Sequence, residues 1–313
     1  MLQKIWKIIK SILFLGVLGL TVYGVTVITL PKISDFYEEE EWDVVFFGTS
    51  QSYCTFDPSI FDEYGLKTYN RGRQQQTMNY TYYYVKDALE VSDIDVVVLE
   101  IFGMFYDEGD ERFESSGIRE STLGDFRYSP IKIEAIKDCV PKELQVEYLF
   151  PLDKYHSNWE QWNFNSVAEL YKSVFNPYYT ESSDRGYMRW SGSEWFWYPD
   201  VNEYTNYYEE VYAENIRYLD MIRELCKEHD AKLVLVRGPL PCYDTVLGKT
   251  NTVESWAMLN GVDMINYMYL SEEIILNENT DSLDGGTHLN ESGAGKVSRH
   301  LATYLIEEYF GGF

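Results

Sequence analysis

The most apolar stretch of the chain lies near its start, where the twenty residues from Ser11 to Leu30 carry no charge. A helix of this length rises about 1.5 Å per residue and therefore spans roughly 30 Å, the thickness of a bilayer core. Three lysines precede the stretch, and the glutamates of residues 38–41 follow it. By the positive-inside rule this asymmetry places the amino terminus in the cytoplasm. We therefore predict that residues 1–32 form a cytoplasmic tip and transmembrane anchor, and that residues 33–313 form an extracellular domain.

A cleaved secretory signal is the alternative for this stretch, because such a signal also combines basic residues with an apolar core. A signal needs small residues at its cleavage site, and no alanine occurs before Ala88. The stretch is also longer than a usual signal core. Both observations favour a retained, single-pass anchor.

Short apolar runs predict four strands in the rest of the chain. Residues 43–48 read as a buried strand that stops at a glycine, and residues 95–101 have Val-Val-Val-Leu at their centre. Residues 66–70 and 231–237 have the same character. A polar Thr-Ser-Gln-Ser turn follows the first of these strands directly.

Apolar residues at helical spacing predict helices between and after the strands. They recur over residues 78–89 and 214–229, and Asn290 is a favourable cap for a closing helix. One face of that helix carries Ala294, Val297, Leu301 and Leu305. The alternation of strands and helices predicts an α/β fold with a parallel sheet, on which the closing helix packs.

From about residue 107 to residue 212 this pattern gives way to acidic and aromatic stretches, such as 159–162 and 190–198. We interpret this region as a large insertion. Active sites of open parallel sheets lie at the carboxyl ends of the strands, so an insertion that leaves the third strand can form a substrate wall. A purely structural subdomain is the alternative.

The formal charge of the chain is −25, and residues 1–32 contain four lysines and no acids, so the exterior part carries −29. This charge argues against nucleic acid as a partner. A polyphosphate polymer would need a local basic patch, for which the sequence offers Arg71, Arg73, Arg189 and Arg237. The 28 tyrosines and 8 tryptophans suit neutral sugar faces better, or simply build a core.

Four cysteines lie in the predicted exterior part, where disulfides persist, and they permit three complete pairings: Cys54, Cys139, Cys226 and Cys242. The sequence does not choose among these pairings. The cysteines lack a paired Cys-x-x-Cys spacing, so we expect no zinc site. We predict no other cofactor or metal.

A serine and a histidine stand where acyl-transfer chemistry needs them. That chemistry requires a serine hydroxyl on a tight turn, a histidine that takes its proton, a carboxylate that orients the histidine, and donors for the oxyanion. Ser50 follows the first predicted strand in a Gly-Thr-Ser turn, with Ser52 as the neighbouring alternative. His288, one of four histidines, lies in the loop 284–290 directly before the closing helix.

With the serine turn after the first strand and the histidine loop before the last helix, the sequence resembles the SGNH or GDSL-like hydrolase superfamily. More narrowly, it resembles the membrane-anchored branch of that superfamily beside cell-surface acylation systems, which includes the DltD-like proteins. The matching pieces are the turn at residues 48–50, Tyr-Asn-Arg-Gly at 69–72, Val-Val-Leu-Glu at 97–100, and His-Leu-Asn at 288–290 with Gly293 behind it. They cover most of the exterior domain except the insertion. The resemblance implies a three-layer, flavodoxin-like sheet with helices on both faces.

The resemblance also implies roles for particular residues. Ser50 would be the nucleophile, His288 the general base, and Asp284 the carboxylate that orients the histidine. The backbone N–H groups of Ser50 and Gly72 would form the oxyanion hole.

The sequence departs from the family in the spacing of the last motif. The family pattern is Asp-x-x-His, whereas Asp284 lies four residues before His288. The loop must therefore bulge by one residue or use Asp281 instead. We expect Asp284 to be the partner.

A second departure concerns the oxyanion hole. The family's third block commonly supplies an asparagine after the third strand, but residues 100–103 contain none. The missing donor must then come from the side chain of Asn70 or Gln74, or the hole must use backbone groups alone. Losing one such donor commonly lowers the rate about 10²- to 10³-fold.

These features predict an enzyme that moves a small acyl group, such as acetyl, to or from a cell-surface polysaccharide or teichoic-type polymer through an ester on Ser50. Hydrolysis and transfer use the same triad and differ in whether water or a polymer hydroxyl reaches the acyl-enzyme. A tethered domain slightly favours transfer. The resemblance implies a multi-span membrane O-acyltransferase as a partner.

Two other classes of function remain open at the level of sequence. A noncatalytic accessory would keep the fold and bind a glycan or an O-acyltransferase through the aromatic insertion, and the absent third-block asparagine supports it. A metal-dependent hydrolase would need carboxylates clustered with histidine. One histidine and two aspartates in the loop 281–288 are too few ligands for that reading.

Overall fold

The computed structural model describes residues 2–29, 33–150, 184–197, 200–239 and 244–312. The chain divides into two compact units. One comprises Met1–Asp35 and Leu123–Glu181, and the other comprises Phe36–Thr122 and Ser182–Phe313. The second unit contains the whole β-sheet.

The sheet has five strands in the order β2-β1-β3-β4-β5, and every neighbouring pair is parallel. The strands are β1 Glu41–Phe47, β2 Thr68–Asn70, β3 Asp93–Glu100, β4 Lys232–Arg237 and β5 Asp263–Asn266. This is the doubly wound, flavodoxin-like strand order, in which the chain reverses direction beside β1. The carboxyl ends of β1 and β3 flank that reversal, which is where ligand sites form in such sheets.

The helices alternate with the strands in the second unit. They are α2 Ser50–Thr55, α3 Pro58–Glu63, α4 Met78–Val91, α8 Ala213–Glu228, α9 Asp244–Asn260 and α10 Glu291–Tyr309. Helix α5, Ser116–Asp125, begins in the second unit and ends in the first. The first unit contains α1 Leu2–Thr29, α6 Pro130–Cys139 and α7 Gln145–Leu149. Shorter 3-10 segments cover Asp35–Glu38, Ile101–Phe105, Glu111–Phe113 and Val201–Tyr204.

Helices cover both faces of the sheet because successive side chains of a strand point to opposite faces. On one face α4 and α8 pack against each other and against β1, β3 and β4. On the other face α10 closes a continuous apolar cluster that includes Val44, Phe46, Val96, Val98, Val234, Val236, Ala294, Val297 and Leu301. The predicted three-layer α/β architecture is confirmed.

The predicted strands and the closing helix lie within a few residues of the observed ones. The Asn290 side chain caps α10 by accepting hydrogen bonds from the backbone N–H of Ser292 and Gly293, at 3.0 and 3.2 Å. The sequence analysis missed β5 and α9. β5 has only four residues at the sheet edge, and α9 buries polar side chains such as Lys249 and Asn251, which hides its periodicity.

The predicted insertion, residues 107–212, is helical in part. Helices α5, α6 and α7 lie in the stretch that sequence periodicity left without structure. Ser129 and Pro130 provide a helix start signal that could have been noticed, because Ser129 accepts a hydrogen bond from Lys132 N and Pro130 is the first residue of α6. Residues 151–183, with the aromatic stretch 159–162, lie outside the described residues. The limits of the insertion stay a prediction.

The amino-terminal helix has the length and composition of a membrane-spanning helix. Among the residues that the structure describes, α1 is the one helix long and apolar enough to cross a bilayer, over Gln3–Gly24. Its large apolar side chains from Ile5 to Tyr23 are exposed rather than packed. These properties fit an anchor or a signal sequence.

The described cysteines are free thiols. Cys54, Cys139 and Cys226 are all buried and none of them forms a disulfide, and Cys242 lies outside the described residues. Burial raises the pKa of the Cys226 thiol to about 12, so the reactive thiolate is disfavoured.

Candidate active site

Ser50 lies at the carboxyl end of β1, at the first position of α2. Gly48 makes the turn with φ +133°, and a Cβ there would lie 2.7 Å from the Cβ of Glu100, so only glycine fits. Thr49 caps α2, because its hydroxyl accepts a hydrogen bond from Gln51 N at 3.2 Å. The strand, the glycine turn and the short helix together present the Ser50 hydroxyl at the sheet edge.

Three side chains from the two ends of the sheet domain form one hydrogen-bonded chain. The imidazole Nε2 of His288 is 2.8 Å from Ser50 Oγ, and its Nδ1 is 2.7 Å from Asp284 Oδ2. The other carboxylate oxygen of Asp284 accepts the backbone N–H of His288 at 2.8 Å. With the proton on Nδ1 facing the carboxylate, Nε2 is free to accept the serine proton, which is the arrangement that nucleophilic serine chemistry requires.

A glycine turn accommodates the extra residue between Asp284 and His288. Gly285 and Gly286 have φ +68° and +97°, in the left-handed region that favours glycine. Gly286 N donates to Ser282 Oγ at 2.7 Å, and Ser282 Oγ donates to the His288 carbonyl at 2.9 Å. The loop therefore bulges and returns the histidine to its aspartate.

Asp281, the alternative carboxylate, belongs to a hydrogen-bond network that does not include the His288 imidazole. Its buried side chain accepts hydrogen bonds from Lys296 Nζ at 2.6 Å, Ser292 Oγ at 2.7 Å and Asn277 N at 2.7 Å. Burial alone would raise the pKa of Asp281, but these donors hold it below its ordinary value. Asp281 thus anchors the start of α10 to the loop, and Asp284 is the carboxylate that meets the imidazole.

The N–H groups of the expected oxyanion donors, Gly72 and Asn70, donate hydrogen bonds to other groups of the protein. Gly72 N donates to Asn70 Oδ1 at 3.0 Å. Asn70 Nδ2 donates to the carbonyls of Ser52 and Phe56, at 2.9 and 3.1 Å. Because an amide nitrogen has two N–H groups and both are taken, the Asn70 side chain has none left for an oxyanion. In this arrangement the N–H groups of Gly72 and of the Asn70 amide have partners within the protein, and their use as oxyanion donors stays a prediction.

Other N–H groups remain near the serine. Ser50 N begins α2, and the first N–H groups of a helix have no acceptor within the helix. The side chains of Gln74 and Gln75 line the same cleft as Ser50. Gln75 has φ +52°, in the left-handed region that few residues other than glycine adopt.

Ser52, the alternative nucleophile, does not take part in the hydrogen-bonded chain at His288. It is fully buried, and its hydroxyl donates to Asn70 Oδ1 at 3.1 Å. Ser52 therefore stabilises the loop after β2, whereas Ser50 faces the histidine.

A cleft of about 530 Å³ opens over Ser50. Its apolar walls consist of Tyr53, Cys54, Phe102, Tyr106, Met188, Trp190 and Leu283. Sequence reasoning did not assign these residues individually. Tyr53 could have been found, because it lies three positions after Ser50 on the same helix face. Trp190 could not, because only the path of the insertion brings it to the cleft.

Burial disfavours the charged forms of two side chains near Ser50, the Tyr53 phenol and the Cys54 thiol. Burial raises the pKa of the Tyr53 phenol, although the hydrogen bond with the Ser50 side chain acts in the opposite direction. Burial also raises the pKa of the Cys54 thiol to about 12, with a hydrogen bond from Trp190 opposing it. A neutral thiol is a weak nucleophile, so Cys54 does not compete with the serine.

The four arginines that could have formed a basic patch do not form one. Arg71 is buried in an ion pair with Asp87 at 3.0 Å, and Arg237 is also fully buried. Arg73 donates to the Tyr84 hydroxyl at 3.1 Å. The fourth, Arg189, lies between Asp57 and Glu291. Two of the four arginines are therefore buried, and the other two bind neighbouring side chains.

The described residues contain no group of three or more histidine, cysteine, aspartate or glutamate side chains that could hold a metal ion.

No family model and no curated protein matches the chain. Solved structures similar to it include a GDSL-like lipase from Bacteroides thetaiotaomicron, at 12% identity over 87% of this chain and 89% of that one, with a TM-score of 0.37. Another is a proposed acylhydrolase from Bacteroides fragilis, at 12% identity over 91% of this chain and 94% of that one, with a TM-score of 0.37. Both descriptions name lipase or acylhydrolase chemistry, and neither supports the narrower DltD-like branch.

Proposed function

We propose that this protein is a serine-dependent esterase or O-acyltransferase that works through an acyl-enzyme on Ser50. The observation that carries the proposal is the continuous chain of hydrogen bonds from Ser50 Oγ through the imidazole of His288 to Asp284. The three residues line a cleft of about 530 Å³, which is large enough for a small ester.

The geometry supports a two-step reaction. His288 Nε2 takes the Ser50 proton as Oγ attacks the ester carbonyl, and the same proton then passes to the departing alcohol, which leaves an acyl group on Oγ. In the second step His288 takes a proton from water or from an acceptor hydroxyl. That oxygen attacks the acyl carbon, and the returning proton restores the Ser50 hydroxyl. Asp284 stabilises the imidazolium in both steps.

We propose that the substrate is a small acyl ester, such as acetyl, on a neutral cell-surface polysaccharide. The aromatic rings of Tyr53, Phe102, Tyr106 and Trp190 in the cleft wall support a sugar-bearing substrate, because such rings offer flat apolar faces. The strongly acidic chain and the absence of a basic patch at the four arginines above weigh against a teichoic-type polyanion.

The proposed setting is the outer face of a cell membrane, with α1 as a single-pass anchor. The lysines before α1 and the glutamates after it support this orientation. An anchored transferase would receive its acyl group close to the bilayer. A multi-span membrane O-acyltransferase is therefore the partner that we propose, on the resemblance to cell-surface acylation systems.

The test is hydrolysis of p-nitrophenyl acetate and release of acetate from an acetylated polysaccharide by the full-length chain in detergent. We expect Ser50→Ala to lose nearly all activity and Ser52→Ala, its matched control, to keep most of it. Equal activity of the wild type and Ser50→Ala would refute the proposal. Supplying a deacylated polysaccharide together with the activated ester separates transfer from hydrolysis, because transfer makes acetylated polymer.

A noncatalytic accessory is the second candidate function, and one observation favours it. Two of the expected oxyanion donors, Gly72 N and the Asn70 amide, are occupied within the fold. In cells that depend on this protein for polysaccharide acylation, an accessory would keep full acylation with Ser50→Ala. The enzyme would lose it.

A further inference from the structure

Two buried charged residues lie directly behind the nucleophile turn. Glu100 ends β3 and Arg237 ends β4, two neighbouring parallel strands of the sheet. The side chains are 1% and 0% exposed. Burying a charge is costly unless hydrogen bonds compensate for it, so the partners of these two groups show what they hold in place.

Glu100 holds the residue that precedes the nucleophile. Its Oε2 accepts the backbone N–H of Thr49 at 3.1 Å and the Thr49 hydroxyl at 2.8 Å. Its Oε1 accepts the backbone N–H of Phe102 at 2.6 Å. The carboxylate thus ties the turn after β1 to the turn after β3 through three donors.

Arg237 holds the residue that follows the nucleophile. Its guanidinium donates to Gln51 Oε1 at 3.1 Å. The same guanidinium lies 5.8 Å from the ring centroids of Phe102 and Phe105, which form part of the turn after β3. The positive charge of Arg237 also acts to lower the pKa of Glu100, which burial raises.

We propose that Glu100 and Arg237 are positioning residues that fix the Ser50 hydroxyl at hydrogen-bonding distance from His288. The inference rests on the proposed function and names the groups that make it geometrically possible. Thr49 and Gln51 flank Ser50 in the chain, and each is held by one of the two charged groups. Because both groups lie at strand ends, the backbone that carries the serine is held in place next to the imidazole.

This role also accounts for the departure in the third motif block. Where the family commonly supplies an asparagine donor to the cleft, this chain has Glu100, an acceptor whose oxygens point to backbone N–H groups. The last residue of β3 therefore holds the nucleophile turn in place and supplies no donor to the oxyanion.

The central variant is Glu100→Gln, assayed with p-nitrophenyl acetate in the full-length chain. An amide offers one acceptor oxygen, so its NH₂ group must face either Phe102 N–H or the Thr49 donors. We expect kcat to fall roughly 100-fold, because small displacements of reacting groups have effects of that size, while KM stays within about twofold.

Thr49 supplies a pair of variants that keeps the proposal testable if Glu100→Gln does not fold. Thr49→Val removes the hydroxyl that bonds Glu100 and caps α2, with almost no change in shape, and Thr49→Ser restores both contacts. We expect Thr49→Val to lower kcat about tenfold or more and Thr49→Ser to recover most of the loss. The double variant Glu100→Gln/Thr49→Val should lose less kcat than the product of the two single-variant losses, because both substitutions break the same hydrogen bond.

Asp87→Asn is the control for a merely structural effect. It breaks a buried ion pair elsewhere in the fold, in which Asp87 binds Arg71 and the Tyr37 hydroxyl. We expect it to lower the melting temperature as Glu100→Gln does, with kcat within about twofold of the wild type. Losses of kcat in Glu100→Gln and Thr49→Val that do not exceed that of Asp87→Asn would overturn the positioning role. An inactive wild type would instead overturn the proposed function itself.

Discussion

Ser50 and His288 lie 238 positions apart in the chain, yet the imidazole Nε2 is 2.8 Å from the serine Oγ. Parallel strands bring them together, because β1 carries the serine to the same sheet edge at which the loop before α10 ends. The closing helix packs on the strands through its apolar face. Because the histidine loop leads directly into this helix, the packing of the helix also fixes the end of the loop. The consequences of this arrangement can be measured.

Exchange of each aspartate in the loop before α10 should separate orientation of the histidine from anchoring of the loop. Asp284→Asn keeps the size of the side chain but favours the wrong imidazole tautomer, and we expect kcat to fall about 10⁴-fold with little change in melting temperature. Asp281→Asn is the matched control at the neighbouring carboxylate. Steady-state kinetics should show a loss below about tenfold for Asp281→Asn, and the reverse ranking would contradict the assignment.

Stability should depend on pH through Asp281. Its pKa in the folded state is held below the unfolded value of about 3.9, so the stabilisation is present above about pH 4 and is lost as the pH falls through the folded pKa. Urea unfolding should show that Asp281→Asn costs about 2 kcal/mol at pH 6, a size typical of hydrogen bonds to a buried charged group. The difference from the wild type should shrink below pH 4. A difference that stays constant down to pH 3 would argue against this role.

Gln74 should contribute to the oxyanion hole in place of Asn70. The amide of Gln74 lines the cleft, whereas both N–H groups of Asn70 are bonded to carbonyls. We expect Gln74→Leu to lower kcat by about 10²-fold without a comparable change in KM. Gln75→Asn is the control, because asparagine tolerates the φ of +52° at that position. Unchanged kcat in Gln74→Leu would assign the oxyanion to backbone donors.

Trp190 should contribute to binding of the polymer more than to chemistry. The side chain lines the cleft and is 37% exposed, so part of its ring is open to a ligand. We expect Trp190→Ala to raise KM for an acetylated polysaccharide about tenfold, and to leave kcat/KM for p-nitrophenyl acetate within about threefold. Tyr208→Ala, an exposed aromatic residue of a different cleft, is the control. An equal loss on both substrates would show that Trp190 acts on the acyl group instead.

The sequence allowed the sheet and the meeting of Ser50 with His288 to be predicted, because each depends on local patterns. A strand that ends in Gly-Thr-Ser and a histidine loop before a capped helix both fix a residue at the end of an element. Asp284 was also predictable, since the glycines that follow it permit the bulge.

The oxyanion donors and the cleft walls could not be predicted in the same way. Whether Gly72 N–H is free depends on where the Asn70 side chain turns, which is set by the carbonyls of Ser52 and Phe56. The short edge strand β5 takes its register from β4 and has almost no pattern of its own. Such features are determined by tertiary contacts rather than by local sequence.

The most direct measurement is reaction of the full-length chain with a fluorophosphonate probe, followed by tandem mass spectrometry of the labelled peptide. We expect a single adduct on Ser50, formed at the wild-type rate in Ser52→Ala and absent in Ser50→Ala. We also expect Asp284→Asn to slow the labelling strongly. An adduct on another residue, or no adduct on a folded wild-type chain, would contradict the claim that Ser50 is an activated nucleophile.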